Sequence, residues 1–90
     1  MNSQVKSIGR MADLEYWANR NGWEIVQVES DEEAAVVLFD RSRSYKGLSH
    51  RFGTAAYFWV SNGFTWGHYD MTWDEAQVDF RYRCNRHFPV

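Results

Sequence analysis

Apolar residues near the start of the chain recur every three or four positions, as in a helix that buries one face. The residues on this face are Ile8, Met11, Leu14 and Ala18, with Trp17 beside them. Ser7 is suited to the N-cap position, and Gly22 suits the position just after a helix end. The pattern therefore predicts a helix from about Ser7 to Asn21.

Two β-rich segments follow this helix. Residues 23–29 (WEIVQVE) and residues 34–40 (AAVVLFD) are separated by the acidic turn at residues 30–33. The second segment is apolar at consecutive positions, which is typical of a strand covered on both faces. We therefore expect residues 34–40 to be a central strand of a sheet.

A hairpin is predicted where two aromatic, β-rich runs flank Asn62-Gly63. This dipeptide is typical of a two-residue type I′ turn. Such a turn would pair Trp59 with Trp66 and Tyr57 with His68. Since side chains alternate along a strand, the hairpin would have two distinct faces.

These two faces set up two alternatives. One face would carry Val60, Phe58, Ala56 and Tyr69, and the other would carry Trp59, Trp66, Tyr57, His68 and Phe64. If the first set packs against the helices, the aromatic set is open and forms a binding surface. In the opposite arrangement, the aromatic set is the core and the first set is solvated.

The last helix has a clear start. Thr72 and Glu75 match a capping box, in which the first and fourth residues exchange hydrogen bonds between side chain and backbone. The residues expected to face the sheet from this helix are Trp73, Ala76, Phe80 and Cys84.

Taken in order, these elements predict one α+β domain over residues 1–90. It comprises an N-terminal helix, a three- to four-stranded, mainly antiparallel sheet, and a C-terminal helix. Both helices are expected to lie on one face of the sheet.

Composition limits the classes of function. The chain has 12 acidic and 10 basic residues, a net charge of −2, and 18% aromatic residues. This balance disfavours strong, charge-dominated binding of nucleic acid by the domain as a whole. The single cysteine, Cys84, cannot form an internal disulfide, and no apolar run is long enough to suggest a membrane span or secretory signal. We therefore expect a cytoplasmic protein with no membrane partner.

Positive charge is concentrated in residues 41–53, the least regular stretch. Its basic residues are Arg41, Arg43, Lys46, His50 and Arg51, and it contains no acidic residue. This stretch could contact phosphate, but solvated charge opposite the acidic turn is the ordinary interpretation.

Two residue pairs suggest chemistry. His68 and Asp70 stand two apart on one strand and could orient a general base, but no nucleophile motif accompanies them. Cys84 and His87 are three apart on the last helix, whereas a structural zinc site requires four ligands. We therefore expect no catalytic residue, no metal and no cofactor.

The segment from Gly67 to Ala76 (GHYDMTWDEA), followed by DFR at residues 79–81, resembles the endings of short uncharacterised phage and mobile-element accessory proteins. In those proteins, a Gly-His-Tyr-Asp strand end leads into a capped helix. The resemblance implies a small accessory protein that binds and blocks a host protein, and it transfers no catalytic residue.

The leading hypothesis is a small non-catalytic interaction protein of the phage-encoded kind, which binds a host protein stoichiometrically. The residues expected to bind this partner are Tyr57, Trp59, Trp66 and His68, with Arg43, Lys46 and Arg51 adding charge. The same sheet face could pair two copies of the chain. One alternative is a single-stranded nucleic-acid or nucleotide binder that uses these aromatics and the basic loop. A second alternative is a small enzyme that uses His68 and Asp70, which requires a cleft beside His68.

Overall fold

A computed structural model describes residues 3–42, 49–61 and 63–88, without the side chains of residues 3–10 and Trp66. The elements follow the order α1 (Ser3–Arg20), β1 (Glu24–Ser30), β2 (Ala34–Asp40), β3 (Phe52–Phe58), β4 (Gly63–Met71) and α2 (Trp73–His87). The four strands form one antiparallel sheet in sequence order. The predicted α+β fold and the order of its elements are confirmed.

Helix α1 begins at Ser3, earlier than predicted, and ends where the sequence indicates. Gly22 has a φ of 77°, in the left-handed region that glycine adopts without strain. The amide of Trp23 donates to the carbonyl of Ala18 at 2.9 Å, and the amide of Gly22 donates to that of Asn19 at 3.0 Å. These two bonds are those of a Schellman motif, which satisfies the last carbonyls of the helix.

Strand β2 is central, as predicted, and nearly all of it is buried. It pairs with β1 on one side and with β3 on the other, with Ala35 opposite Tyr57 and Val37 opposite Ala55. Because both neighbours are strands and both faces are apolar, β2 needs cover above and below the sheet.

Helix α1 covers one face of the sheet. The buried residues of this core are Leu14, Ala18, Trp23, Ala35, Val37, Phe39, Ala55 and Tyr57. The Trp23 and Phe39 rings stack, with centroids 3.9 Å apart and planes at 7°. The Phe39 ring also lies against Gly53, where a Cβ atom would stand 2.6 Å from the ring. A residue without a side chain is therefore required at Gly53.

Helix α2 covers the other face. The buried residues of this second core are Val36, Leu38, Phe52, Ala76, Phe80 and Cys84. Since successive strand residues point to opposite faces, Val36 and Leu38 cannot share a face with Val37. The two helices therefore lie on opposite faces of the sheet, instead of sharing one face as expected. The physical reason is that β2 carries apolar side chains on both of its faces, so each face needs cover.

The predicted two-residue turn of the hairpin is wrong. Phe58 pairs with Gly63 and Tyr57 with Phe64, so four residues connect β3 to β4. The register then shifts twice along β4, which brings His68 opposite Thr54. The predicted pairs of Trp59 with Trp66 and of Tyr57 with His68 are therefore also wrong.

The capping box of α2 is confirmed. The Glu75 amide donates to the Thr72 hydroxyl at 3.2 Å, and the Thr72 amide donates to Glu75 Oε1 at 2.9 Å. The hydrogen bond from the Thr72 amide is the main reason that the pKa of the Glu75 carboxyl lies below its ordinary value. Trp73 was expected in the core, but it is 43% exposed, and its ring meets that of Phe52 edge-on. Neither described helix combines the length and apolarity needed to cross a membrane.

Candidate functional site

The predicted aromatic surface is not open. Tyr57 is 0% exposed, and Trp59 and Phe64 pack against the α1 core. The Trp59 indole Nε1 donates to the backbone carbonyl of Asp31 at 2.9 Å. Tyr57, Trp59 and Phe64 are therefore core residues, as in the second alternative, whereas His68 lies on the opposite face and Ala56 of the first set is also buried. Tyr57 therefore cannot anchor a partner at the surface, whereas the side chain of Trp66 lies outside the described residues.

The ends of the predicted basic loop are tied to the sheet. Arg51 Nε lies 3.0 Å from Asp40 Oδ1, and an Arg41 guanidinium nitrogen lies 3.1 Å from Asp70 Oδ1. Arg43 and Lys46, the other proposed partner-binding residues of this loop, lie outside the described residues. Asp70 therefore pairs with Arg41 and does not orient His68, as the enzyme alternative would require.

His68 instead pairs with Asp79, on helix α2. Because of the irregular register of β4, the His68 side chain lies on the α2 face of the sheet. Its Nδ1 is 3.0 Å and 3.1 Å from the two Asp79 carboxylate oxygens. The hydroxyl of Thr54 and the Nε of Arg83, the latter at 3.3 Å, also donate to Asp79. Asp79 is thus the centre of a polar network that joins β3, β4 and α2.

The charge of Asp79 follows from these contacts. Burial alone would raise the pKa of its carboxyl. Hydrogen bonds from Thr54 and His68, together with the Arg83 guanidinium, outweigh burial and hold that pKa below its ordinary value. An ionised carboxylate only accepts hydrogen bonds, so Nδ1 of His68 carries the hydrogen. In the neutral ring, Nε2 then has a lone pair available to a ligand.

A groove of about 390 Å³ lies beside this network, between β4 and the C-terminal half of α2. Its lining residues are His68, Tyr82, Arg83, Arg86 and His87, and none of these is acidic. Arg83 is unusual for an arginine because its side chain is only 8% exposed. The groove therefore supplies two permanent positive charges, two imidazoles and a phenol within one small space.

Neighbouring contacts hold the rim of the groove. An Arg86 guanidinium nitrogen donates to the Tyr82 hydroxyl at 3.3 Å, and its central carbon is 5.7 Å from the Tyr82 ring centroid. The His87 ring meets Phe58 edge-on, with centroids 6.0 Å apart. Both a stacked guanidinium and a packed imidazole lose side-chain freedom, which favours binding.

Sequence reasoning identified His68 but missed Asp79 and Tyr82. The sequence did contain a signal for these residues. The three- and four-residue spacing of positions 79, 82, 83, 86 and 87 places their side chains along one stripe of a helix. Nothing in the sequence indicated that β4 would bring His68 to this stripe.

The suggested pairing of Cys84 with His87 is not a site in this fold. Cys84 is buried against the sheet, while His87 lines the groove. Burial, together with a contact to Glu29, raises the pKa of the Cys84 thiol to about 12. Within the described ranges, no three His, Cys, Asp or Glu side chains group as a metal ion would require.

Comparisons with protein-family models, with curated proteins and with solved structures give no match for this chain. What the groove can bind therefore has to be inferred from its own side chains.

Proposed function

We propose that the groove beside α2 binds a phosphate group of single-stranded nucleic acid. The observation that carries this proposal is the convergence of His68, Arg83, Arg86 and His87 on one cavity with no acidic lining residue. Arginine donates several hydrogen bonds to phosphate oxygens, and charge makes those bonds stronger than neutral ones. A volume of about 390 Å³ falls in the range of small-ligand sites.

Arg86 is the residue best placed to meet the phosphate. Arg83 already donates to Asp79, so part of its charge is balanced inside the protein. Arg86 is exposed and forms no ion pair with a described carboxylate. Its contact with Tyr82 holds the guanidinium at the groove without neutralising it.

Tyr82 gives the site a place for a base. Its side chain is exposed, and it lines both the cationic groove and a more apolar groove along α2 that includes Met71 and Val78. A base stacked on an aromatic ring gains affinity without sequence preference. Asp74, Glu75 and Asp79 also line the apolar groove. Their charge disfavours phosphate there, so the phosphate should lie at the Arg86 end and the base along the apolar groove.

The proposal is compatible with the net charge of −2, because it requires contact with only one or two phosphates. For a single strand, each phosphate contact steepens the plot of log affinity against log salt concentration by roughly 0.7. We therefore expect binding with a shallow salt slope, of about 0.7 to 1.4.

The test is the anisotropy of a fluorescent single-stranded octanucleotide titrated with wild-type protein and with Arg86→Gln. Loss of a charged hydrogen bond should weaken binding about tenfold or more. Arg81→Gln is the matched control, since Arg81 is an exposed arginine of α2 that does not line the groove. No binding by the wild type, or equal weakening by both substitutions, would contradict the proposal.

A protein partner is the second candidate, and it has its own observation. Trp73, Val78 and Tyr82 are exposed on α2, with Val78 72% exposed. Val78 and Tyr82 line the apolar groove, and exposed apolar side chains that share a groove are typical of an interaction surface. A host-protein target of the kind suggested by the phage-like C-terminal segment would bind here. Its binding should be abolished by Val78→Asp and nearly insensitive to salt, which separates it from a phosphate ligand.

A further inference from the structure

We propose that the groove also cleaves the RNA it binds, with His68 as general base and His87 as general acid. This inference rests on the proposed function, because the phosphate must first bind beside Arg86. It assigns a catalytic activity to two histidines that lie 19 positions apart in the chain and border one cavity.

His68 has the arrangement of a general base. Asp79 accepts a hydrogen bond from Nδ1, which leaves Nε2 of the neutral ring as the acceptor. The Asp79 carboxylate is itself held by Thr54 and Arg83, so the ring orientation is supported from β3 and from α2. The His68 side chain is 59% exposed, so Nε2 can reach a ligand in the groove. A carboxylate that orients an imidazole and stabilises its protonated form is a recurring device of proton transfer.

His87 supplies the second proton-transfer group. It is the last residue of α2, and its ring lines the cavity that His68 borders. Contact with Phe58 limits its movement. Arg83 and Arg86 precede it on the same helix and line the same cavity, so a bound phosphate would have guanidinium groups close by. Such preorganised positive charge stabilises the negative charge that develops on phosphate oxygens in the transition state.

The reaction balances without a metal, an oxidant or a further reactant. The ribose 2′-hydroxyl gives its proton to Nε2 of His68, and O2′ attacks the adjacent phosphorus. The O2′–P bond forms as the P–O5′ bond breaks, and protonated His87 gives its proton to the leaving O5′. The products are a 2′,3′-cyclic phosphate and a free 5′-hydroxyl. Because O2′ is the nucleophile, RNA is a substrate, whereas DNA is bound without being cleaved.

The experiment uses the full chain, excess EDTA and a short RNA labelled with a fluorophore and a quencher. We expect cleavage by the wild type, with 2′,3′-cyclic phosphate ends identified by mass spectrometry. His68→Gln and His87→Gln should each reduce kcat by about 100-fold or more, as expected for loss of a general acid or base. His50→Gln is the matched control, because His50 is an exposed histidine outside the groove. Asp79→Asn should lower kcat far more than it changes KM, since the main contact of Asp79 is with the His68 ring that it orients.

Binding is measured in parallel on an oligonucleotide of the same sequence with 2′-deoxy sugars. If this oligonucleotide binds but RNA remains intact, the catalytic inference is overturned and the proposed function stands. If neither oligonucleotide binds, the proposed function itself fails. Cleavage that persists at the same rate in the double variant His68→Gln/His87→Gln indicates another nuclease and also overturns the inference.

Discussion

The two faces of the sheet are covered in different ways. On the α1 face, aromatic and aliphatic side chains pack together, with Trp23 stacked on Phe39 and Tyr57 fully buried. On the α2 face, an apolar core lies beside a polar network centred on Asp79. The cavity at α1 differs in charge as well, because its lining includes Glu15 and Glu24, whereas the α2 groove is lined by arginine and histidine.

This difference suggests that the α1 face mainly stabilises the fold, whereas the α2 face also positions polar side chains. Buried apolar area stabilises a small domain directly, at about 25 cal/mol per Å². A partly buried ion pair gains little over a well-packed apolar pair, since both charges must be removed from water. The α1 face should therefore contribute most of the folding free energy. The network of Thr54, Asp79, Arg83 and His68 is better explained by what it positions than by what it stabilises.

The largest predicted effect is on the α1 face. Phe39→Ala removes a fully buried ring that packs on Trp23 and against Gly53. The expected loss in free energy of unfolding is about 3–5 kcal/mol, from lost burial and the cavity left behind. Urea denaturation followed by circular dichroism measures this loss. Tyr82→Ala on the α2 face is the comparison, and it should change stability little because Tyr82 is 58% exposed. Similar losses for both variants would remove the distinction between the faces.

A smaller effect is expected from Asp79→Asn, which removes the charge at the centre of the network. Loss of charged hydrogen bonds should cost about 1–3 kcal/mol of stability at neutral pH. The folded-state pKa of Asp79 lies below that of the unfolded chain, so this stability is present above the unfolded pKa. It is lost as the pH falls through the folded pKa. The stabilities of wild type and variant should therefore converge in acid.

Urea denaturation of both proteins from pH 7 down to pH 3 measures this convergence. A difference in stability that stays constant across the range would show that the carboxylate charge does not hold the network together.

Local signals in the sequence predicted much of this fold. The bounds of β2 agree with the apolar run, and the capping box of Thr72 and Glu75 marks the start of α2. These features depend on residues that are close in the chain, so their physical causes are visible in the sequence. The pattern of β2 indicates that both faces of the sheet are covered, but it does not indicate which helix covers each face.

The site depends on long-range geometry, which the sequence pattern does not reveal. The register of β4 shifts twice, and Asp70 adopts a φ of 58° between His68 and Met71. The Asn62-Gly63 signal indicated the hairpin but not these irregularities, which decide the face on which His68 lies. The partner of His68 is therefore Asp79 on the next helix, and not Asp70 on the same strand.

The smallest predicted effect compares two threonines on the α2 face. The Thr65 hydroxyl is buried and has no hydrogen-bond partner among the described residues, whereas the Thr54 hydroxyl donates to Asp79. Thr65→Val removes an unsatisfied polar group while keeping a β-branched shape, so stability should rise by up to about 1 kcal/mol. Thr54→Val should instead lower stability, because Asp79 loses a donor. Urea midpoints compared at constant m-value measure both changes, and a loss for Thr65→Val would mean that this hydroxyl is satisfied in solution.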